Sequence, residues 1–536
     1  MHLVPVASAN DPLPEPLRPN ERACNRLIVV SNRLPVVVSR SANGAYQSQP
    51  GSGGLVTALM PVLKDRGGLW IGWTGTNGTE TTELKAHLQE VTEEFGYAFE
   101  PVGLREEEVK GFYQGFSNEI IWPLFHDLLG QCRFDPAYWR SYVQVNRRYA
   151  RAIAAEATDG DLIWVHDYHL MRVATDLRAS GVRNRLGFFL HIPFPAPDMF
   201  LRLPWRVEIL RDLLNYDLIG FQTLRDRRHF VQCLRTLYNV KVSGKGQVQD
   251  FEISEKSGGR TRRLRVGAFP ISIDYREFAG RAASTDIESQ VAELKQATHG
   301  RQIISSVDRL DYTKGILAKL EGFRMALHRF PELIERAVLH LQVVPSRESI
   351  PGYRQLRLEI ERTVSEINGR FTRPGRIPIH YYYQSLQRDA LVAHYRAADV
   401  MLVTPFKDGM NLVAKEYCSC QTENDGVLVL SEFAGAAAEL QRGALLVNPY
   451  DVEGMAAKIQ QAIEMPAKER KERMMVLRKR IRRNDIFHWV NAYLQALSGQ
   501  DLSRFPTLDE YVPESWVSRY APKVGEPDVD LYRQVG

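Results

Sequence analysis

Eleven short apolar runs constrain this chain more than any other feature. In the first half they are LIVVS (27–31), LWIGW (69–73), DLIWV (161–165), GFFLH (187–191) and DLIGF (217–221). In the second half they are QIISSV (302–307), VLHLQVV (338–344), IHYYY (379–383), DVMLV (399–403), VLVL (427–430) and ALLVN (444–448). Each is followed by a loop and then a longer helical pattern, the mark of parallel sheets wound through βαβ crossovers. The runs lack polar alternation, so the strands are expected to be covered on both faces.

At 536 residues the chain exceeds the roughly 250–300 at which single cores stop growing, so more than one domain is expected. The two sets of runs flank a polar, Gly- and Arg-rich interval around KSGGRTRR (256–263), followed by VGAFPISID (266–274). We place the division near residue 275, giving α/β Rossmann-like doubly wound domains at 26–275 and 276–484. A disordered leader is expected at 1–25. The helical pattern DIFHWVNAYLQAL (485–497) and a Pro-containing tail fill 485–536, expected to pack back on the first domain. Sheets of this kind bind ligands beyond their strand C-termini, so two that face each other make an inter-domain cleft.

Composition narrows the function. Lys plus Arg number 69 against 64 Asp plus Glu, a formal charge of +5 with no long basic run, which argues against a nucleic-acid partner. The five cysteines (Cys24, Cys132, Cys233, Cys418, Cys420) are scattered, which suits a reducing cytosol better than a disulfide framework. Cys418 and Cys420 have no second Cys or His pair nearby to complete a metal site. The leader lacks a basic region followed by an apolar run, and no segment reaches the roughly 18 apolar residues of a membrane span. A cytoplasmic protein without a membrane partner is expected.

Several motifs fall where strands end. In SVDRLDYTKG (306–315), Arg309 and Lys314 lie between a strand and a helix expected to begin after Thr313. They either hold a diphosphate together with helix N-terminal amides, or pair with Asp308 and Asp311 as loop cations. In DGMNLVAKEY (408–417), Gly409 allows close backbone approach or positive φ, and Asn411 suits a helix N-cap. The amides of Leu412 and Val413 then point at a bound anion, with Asp408 on the loop and Glu416 one turn deeper. Paired carboxylates suggest a glycosidase, but these two need not flank one bond, and ionised carboxylates also accept from sugar diols. The alternative is a capped helix with a surface Glu.

Arg33 follows the first strand in SNRLPVVV, and GSGGL (51–55) offers Gly53 and Gly54 for close approach to a phosphate or sugar, or merely a flexible turn. WVHDYHL (164–170) gathers His166, Asp167 and His169; no further metal ligand is evident, and Asp167 at a strand end suits a sugar hydroxyl. HIPFP (191–195) puts His191 at another strand end, where the alternative is a buried structural role. FYQGFSNEIIWP supplies Tyr113 and Trp122, and VPSR supplies Arg347; taken singly, these read as packing residues and a surface cation.

Together, SNRLP, GSGGL, FYQGFSN, WVHDYHL, HIPFP, RLDYTKG and DGMNLVAKEY resemble the trehalose-6-phosphate synthase family over about residues 26–495. The resemblance implies the GT-B architecture and a retaining transfer of glucose from UDP-glucose to glucose 6-phosphate, with no metal or other cofactor. It implies that Arg309 and Lys314 neutralise the diphosphate, Glu416 takes the ribose and Asp408 the donor glucose. Gly409, Met410, Asn411, Leu412 and Val413 complete the donor site, with His191 on the donor sugar, Gly53 and Gly54 near the diphosphate, and Leu386 contacting uracil through its backbone. Arg33, Tyr113 and Arg347 clamp the acceptor phosphate, while Trp122 and Asp167 border its sugar. Arg309, Lys314, Asp167 and His191 are the residues expected to carry catalysis, by front-face displacement in which the leaving diphosphate oxygen takes the acceptor's proton. A homo-oligomer is expected.

One stretch departs from the family inside the resemblance: ESIPGY follows Arg347 where a Gly-Asp pair is usual, which puts that arginine's loop in question. Rival readings are a glucosylglycerol-phosphate synthase using an ADP-linked donor and glycerol 3-phosphate, a non-catalytic sugar-phosphate sensor, and a glycosidase.

Overall fold

The computed structural model describes residues 26–40, 46–50, 56, 59–60, 63, 68–76, 82–244, 246–255, 261–348 and 350–499. All eleven apolar runs overlap strands. In chain order the first half contains β1 (Leu27–Arg33), β2 (Val36–Arg40), β3 (Tyr46–Pro50), β4 (Leu69–Trp73), β5 (Ala98–Pro101) and β6 (Leu162–His166). It continues with β7 (Arg185–Phe189), β8 (Leu218–Phe221), β9 (Tyr238–Ser243), β10 (Val248–Glu255) and β11 (Thr261–Ala268). The second half contains β12 (Gln302–Arg309), β13 (Ala337–Val344), β14 (Ile379–Tyr383), β15 (Val400–Val403), β16 (Val427–Ser431) and β17 (Leu445–Val447).

Two large sheets result among the described residues. The first runs β5-β4-β1-β6-β7-β8-β11-β10-β9 and the second β14-β13-β12-β15-β16-β17; β2 and β3 pair separately. The second sheet is parallel throughout. The first is parallel from β5 to β11, and β10 and β9 then extend it antiparallel. The apolar runs become strands because both faces are covered: β4, β8, β15 and β16 are buried at every position.

Sequence reasoning missed β5, the β2–β3 hairpin and the β9–β11 extension. These strands carry polar or charged residues on exposed faces, as in TRRLRVGA, so they lack the apolar signal of a doubly covered strand. Residues 256–260 lie outside the described residues, and Thr261–Arg263 open β11, inside the first sheet.

The chain leaves β11 and enters the helix Tyr275–Ala282, which packs on the helices Arg388–Ala397 and Leu412–Cys420 of the second half. Near its end it crosses back. The helix Ala467–Arg483 packs on Leu412–Cys420, whereas Ile486–Ser498, capped by the Asp485 side chain, lies on β7 and β8 of the first sheet. Trp489 Nε1 donates to the Phe269 carbonyl at 3.1 Å and Tyr493 Oη to the Phe188 carbonyl at 3.1 Å. Small residues make this docking possible: a Cβ at Gly187 would lie 2.5 Å from Tyr493 Oη, and one at Gly220 2.8 Å from its ring. Among the described residues, no helix is long and apolar enough to cross a membrane.

Candidate functional site

In the parallel part of each sheet the strand order reverses at one place, and several of the residues singled out in the sequence lie at those reversals. The first reversal falls between β1 and β6, whose C-terminal ends carry Arg33 and lead into Asp167. The second falls between β12 and β15, which lead into Arg309 and Asp408. Diverging crossovers leave a crevice at such points, where open α/β sheets take ligands.

Side chains from both halves converge around Tyr113. Tyr113 sits in the wide π-helical turn Val109–Ile121, a rare conformation that recurs at functional sites. Gly111 and Gly115 let that segment press against the helix Pro136–Glu156: a Cβ at either would lie 2.2 Å from Ser141 Oγ or 2.5 Å from the Tyr138 ring. Arg33 lies over Trp73 at 4.6 Å and Tyr113 at 5.5 Å. Burial alone would raise the pKa of the Tyr113 phenol, yet the guanidiniums of Arg347, Arg33 and Arg309 outweigh it and lower the pKa overall. Three arginines around one phenol form a pocket suited to a phosphate monoester.

Arg347 is no surface cation. Its side chain is 8% exposed, its backbone has φ +49°, and its guanidinium lies 4.3 Å from the Trp122 ring centre. Nη1 donates to Tyr353 Oη at 2.6 Å and to Asp311 at 3.3 Å, and Nη2 to Tyr168 Oη at 3.4 Å. Tyr353 comes from the ESIPGY stretch, so the unusual loop supplies a partner that holds this arginine. Arg309, 47% exposed, reaches Asp311 at 3.5 Å.

Lys314 does not pair with Asp308 or Asp311. It donates to Asp408 Oδ2 across 2.5 Å, and Asn411 Nδ2 donates to the same oxygen at 3.1 Å. Burial opposes ionisation of Asp408, but Lys314 outweighs it and keeps the carboxyl below its usual range. The α-helix after this loop starts at Ile316, later than expected; a single 3-10 turn, Tyr312–Lys314, and left-handed Gly315 come first.

The DGMN loop matches its expected helix start. Asn411 caps Leu412–Cys420 by accepting from the Ala414 amide at 3.3 Å, and it is Asn411 that has positive φ, +81°. Gly409 serves close approach instead: a Cβ there would lie 2.0 Å from the His191 carbonyl oxygen in the other half. Met410 is buried and accepts from the Ala436 amide at 2.8 Å. Glu416 Oε2 accepts from Tyr395 Oη at 2.9 Å, and burial holds its pKa up. Leu386 lies half-buried on the loop after β14.

Asp167 and His191 share the opposite wall. Asp167 has φ +74°, and its carboxylate accepts from the His191 amide at 3.2 Å. Burial, only partly offset by the Tyr168 and His191 amides and by Arg309 and Arg347, pushes its carboxyl up to about 7. His191 is 3.0 Å from His166 and 3.4 Å from Gln222 through its two ring nitrogens, and burial lowers its pKa to about 3, so it is neutral near pH 7. His169 stacks on Tyr113 at 5.9 Å. His166 and Asp167 of WVHDYHL thus both meet His191, whereas His169 faces Tyr113. Gly53 and Gly54 lie outside the described residues.

These positions fit a known group of proteins. The profile of glycosyltransferase family 20 matches residues 25–499. The chain belongs to glycosyltransferase family 20. Like its family-20 relatives it is a glycosyltransferase, and it is 41% identical over 472 residues to a trehalose-6-phosphate synthase from Mycolicibacterium smegmatis, covering 88% of this chain and 92% of that one. A crystal structure of an alpha,alpha-trehalose-phosphate synthase (UDP-forming) from Burkholderia xenovorans with glucose-6-phosphate superposes with a TM-score of 0.79 at 36% identity, over 89% of this chain and all of that one. An Escherichia coli structure bound with UDP-2-fluoro glucose gives 0.78 at 36% identity, over 88% and 99%. The architecture is GT-B.

Within this family-20 site, sequence reasoning passed over Asp311, Tyr168 and Tyr353. Asp311 was read only as a partner for loop cations. Its one visible signal is a Thr two positions later: the Asp311 carboxylate accepts from the Thr313 amide at 3.0 Å, a local turn motif. Tyr168 carried no signal because its hydroxyl reaches Arg347 only once the two halves meet, and Tyr353 carried none because its contact depends on the local path of the chain after Arg347.

Proposed function

We propose that this chain transfers glucose from UDP-glucose to glucose 6-phosphate, giving trehalose 6-phosphate and UDP with retained anomeric configuration. The observation that carries this reading is the pocket in which Arg33, Arg347 and Arg309 surround Tyr113, beside the Lys314–Asp408 pair. Such a pocket selects an acceptor that carries a phosphate.

On the acceptor side, Arg33, Arg347 and Tyr113 take the phosphate, and Trp122 and Asp167 border the sugar. On the donor side, Arg309, Lys314 and the amides of Leu412 and Val413 meet the diphosphate charge; with these cations in place we assign the reaction no cofactor. Asp408 Oδ1 accepts glucose hydroxyls while Oδ2 is held by Lys314 and Asn411. Glu416 takes the ribose, the Leu386 backbone the base, and neutral His191 the donor sugar. Gly409 and Met410 shape the loop. The acceptor hydroxyl attacks the anomeric carbon on the face the diphosphate leaves, and its proton passes to the departing phosphate oxygen. Catalysis then rests on alignment and on stabilising charge as it grows on that oxygen.

A single assay tests this. Nucleotide release from UDP-, ADP- and GDP-glucose is measured with glucose 6-phosphate and with glycerol 3-phosphate. Release of UDP dependent on glucose 6-phosphate is expected. Release only with glycerol 3-phosphate, or hydrolysis independent of acceptor, would overturn the reading.

A further inference from the structure

We infer that Asp311 is a positioning residue, holding Arg347 of the acceptor-phosphate pocket at a fixed spacing from Arg309 of the diphosphate site. The inference rests on the proposed glucose 6-phosphate reaction. Asp311 lies two residues beyond β12 and is fully buried. Its two oxygens have different partners. Oδ1 accepts from its own loop, the Thr313 amide at 3.0 Å and Thr313 Oγ1 at 2.9 Å, and from Trp122 Nε1 of the first half at 3.3 Å. Oδ2 faces the cations, Arg347 Nη1 at 3.3 Å and Arg309 Nη2 at 3.5 Å.

Burial alone would protonate this carboxyl, but Arg347, Arg309 and Lys314 hold its pKa below the ordinary value, so it works as an anion. A buried carboxylate with one oxygen anchored and the other shared between two guanidiniums fixes their separation. Arg309 is half exposed, so without Asp311 it would sample several rotamers, while Arg347 would lose its carboxylate partner and keep only the tyrosine hydroxyls and the Trp122 face to aim it. Trp122 makes the anchor span the cleft, coupling the wall of the acceptor sugar to the charges beneath the donor.

Simple charge balance predicts the opposite behaviour, which makes the role testable. Asp311→Asn removes a negative charge beside an anion site, and on Coulomb grounds alone glucose 6-phosphate would bind more tightly. Positioning predicts that KM for glucose 6-phosphate rises and kcat falls, with kcat/KM down about 10- to 100-fold. In an Arg347→Lys background, where the forked contact is already lost, Asp311→Asn should cost less than about threefold. Additive losses, an unchanged kcat/KM or a lowered KM would overturn the inference. Should Asp311→Asn fail to fold, Thr313→Val removes only the Oγ1 donor; it should raise the same KM about threefold or more, again non-additively with Arg347→Lys, and an unaltered KM would overturn the inference. A wild-type protein that transfers no glucose to glucose 6-phosphate would instead refute the underlying reaction.

Discussion

At the scale of single residues, the site is shaped by space as much as by charge. Gly409 contributes no functional group, yet a Cβ there would lie 2.0 Å from the His191 carbonyl oxygen, and the far atom is backbone that cannot swing aside. Gly409→Ala should displace the DGMN loop by about an ångström and lower kcat about 100-fold while the urea midpoint moves little; steady-state kinetics with near-normal kcat would show that the loop tolerates the shift. Asp167 offers a test by pH. Its carboxyl is held up to about 7 by burial, whereas in the unfolded chain it loses its proton near 4. Between those values the folded chain binds the extra proton, so this contribution is complete below about pH 4 and is lost as pH rises to about 7. Urea unfolding of wild type and Asp167→Asn across that range should therefore show the wild type's relative stability falling with pH. Parallel curves would mean that Asp167 ionises normally.

At the scale of elements, two acids in one motif have divergent roles. Asp308 and Asp311 both follow the core of β12, but Asp308 points into the second half's core, where it pairs with fully buried Lys319, which also donates to Ser306 Oγ at 2.6 Å. Lys319→Ala strands a buried carboxylate and should cost about 3–5 kcal/mol in denaturant unfolding, while a Lys319→Met/Asp308→Leu double variant should recover most of the loss. A double variant as unstable as the single one would show that the pair itself stabilises the helix Ile316–Arg329. The sequence offered no way to separate these acids, because which side of β12 each faces depends on what covers it. The strands themselves were legible: doubly covered β-branched runs such as LWIGW announce their burial locally. The extension β9–β11 was not, since its charged faces look like a linker until they pair with β8. The placement of Arg33, Arg309 and Asp408 at or beyond strand ends could be read from position and motif. Partners supplied by the other half, such as Tyr168 for Arg347 and Trp122 for Asp311, are set by how the sheets meet.

At the scale of the whole molecule, the helix Ile486–Ser498 ties one half to the other. Trp489 and Tyr493 belong to a continuous apolar core that includes Phe269, Ile271 and Ile273 on one side and Met410, Ala414 and Tyr417 on the other. Trp489→Ala should cost about 3–5 kcal/mol and divide the calorimetric unfolding transition in two; a single transition shifted to lower temperature would show that the halves stay coupled without it. The anion pocket adds a second, reversible tie. Arg33 rides on one half, Arg309, Lys314 and Arg347 on the other, and the nearby carboxyls of Asp311, Asp408 and Asp167 offset these four cations in part. Like charges brought together in this way act as a compressed spring between the halves, and an entering phosphate is the counter-ion that releases it. On the proposed reaction the acceptor's phosphate stays on the product, so product release would restore the repulsion that acceptor binding had relieved.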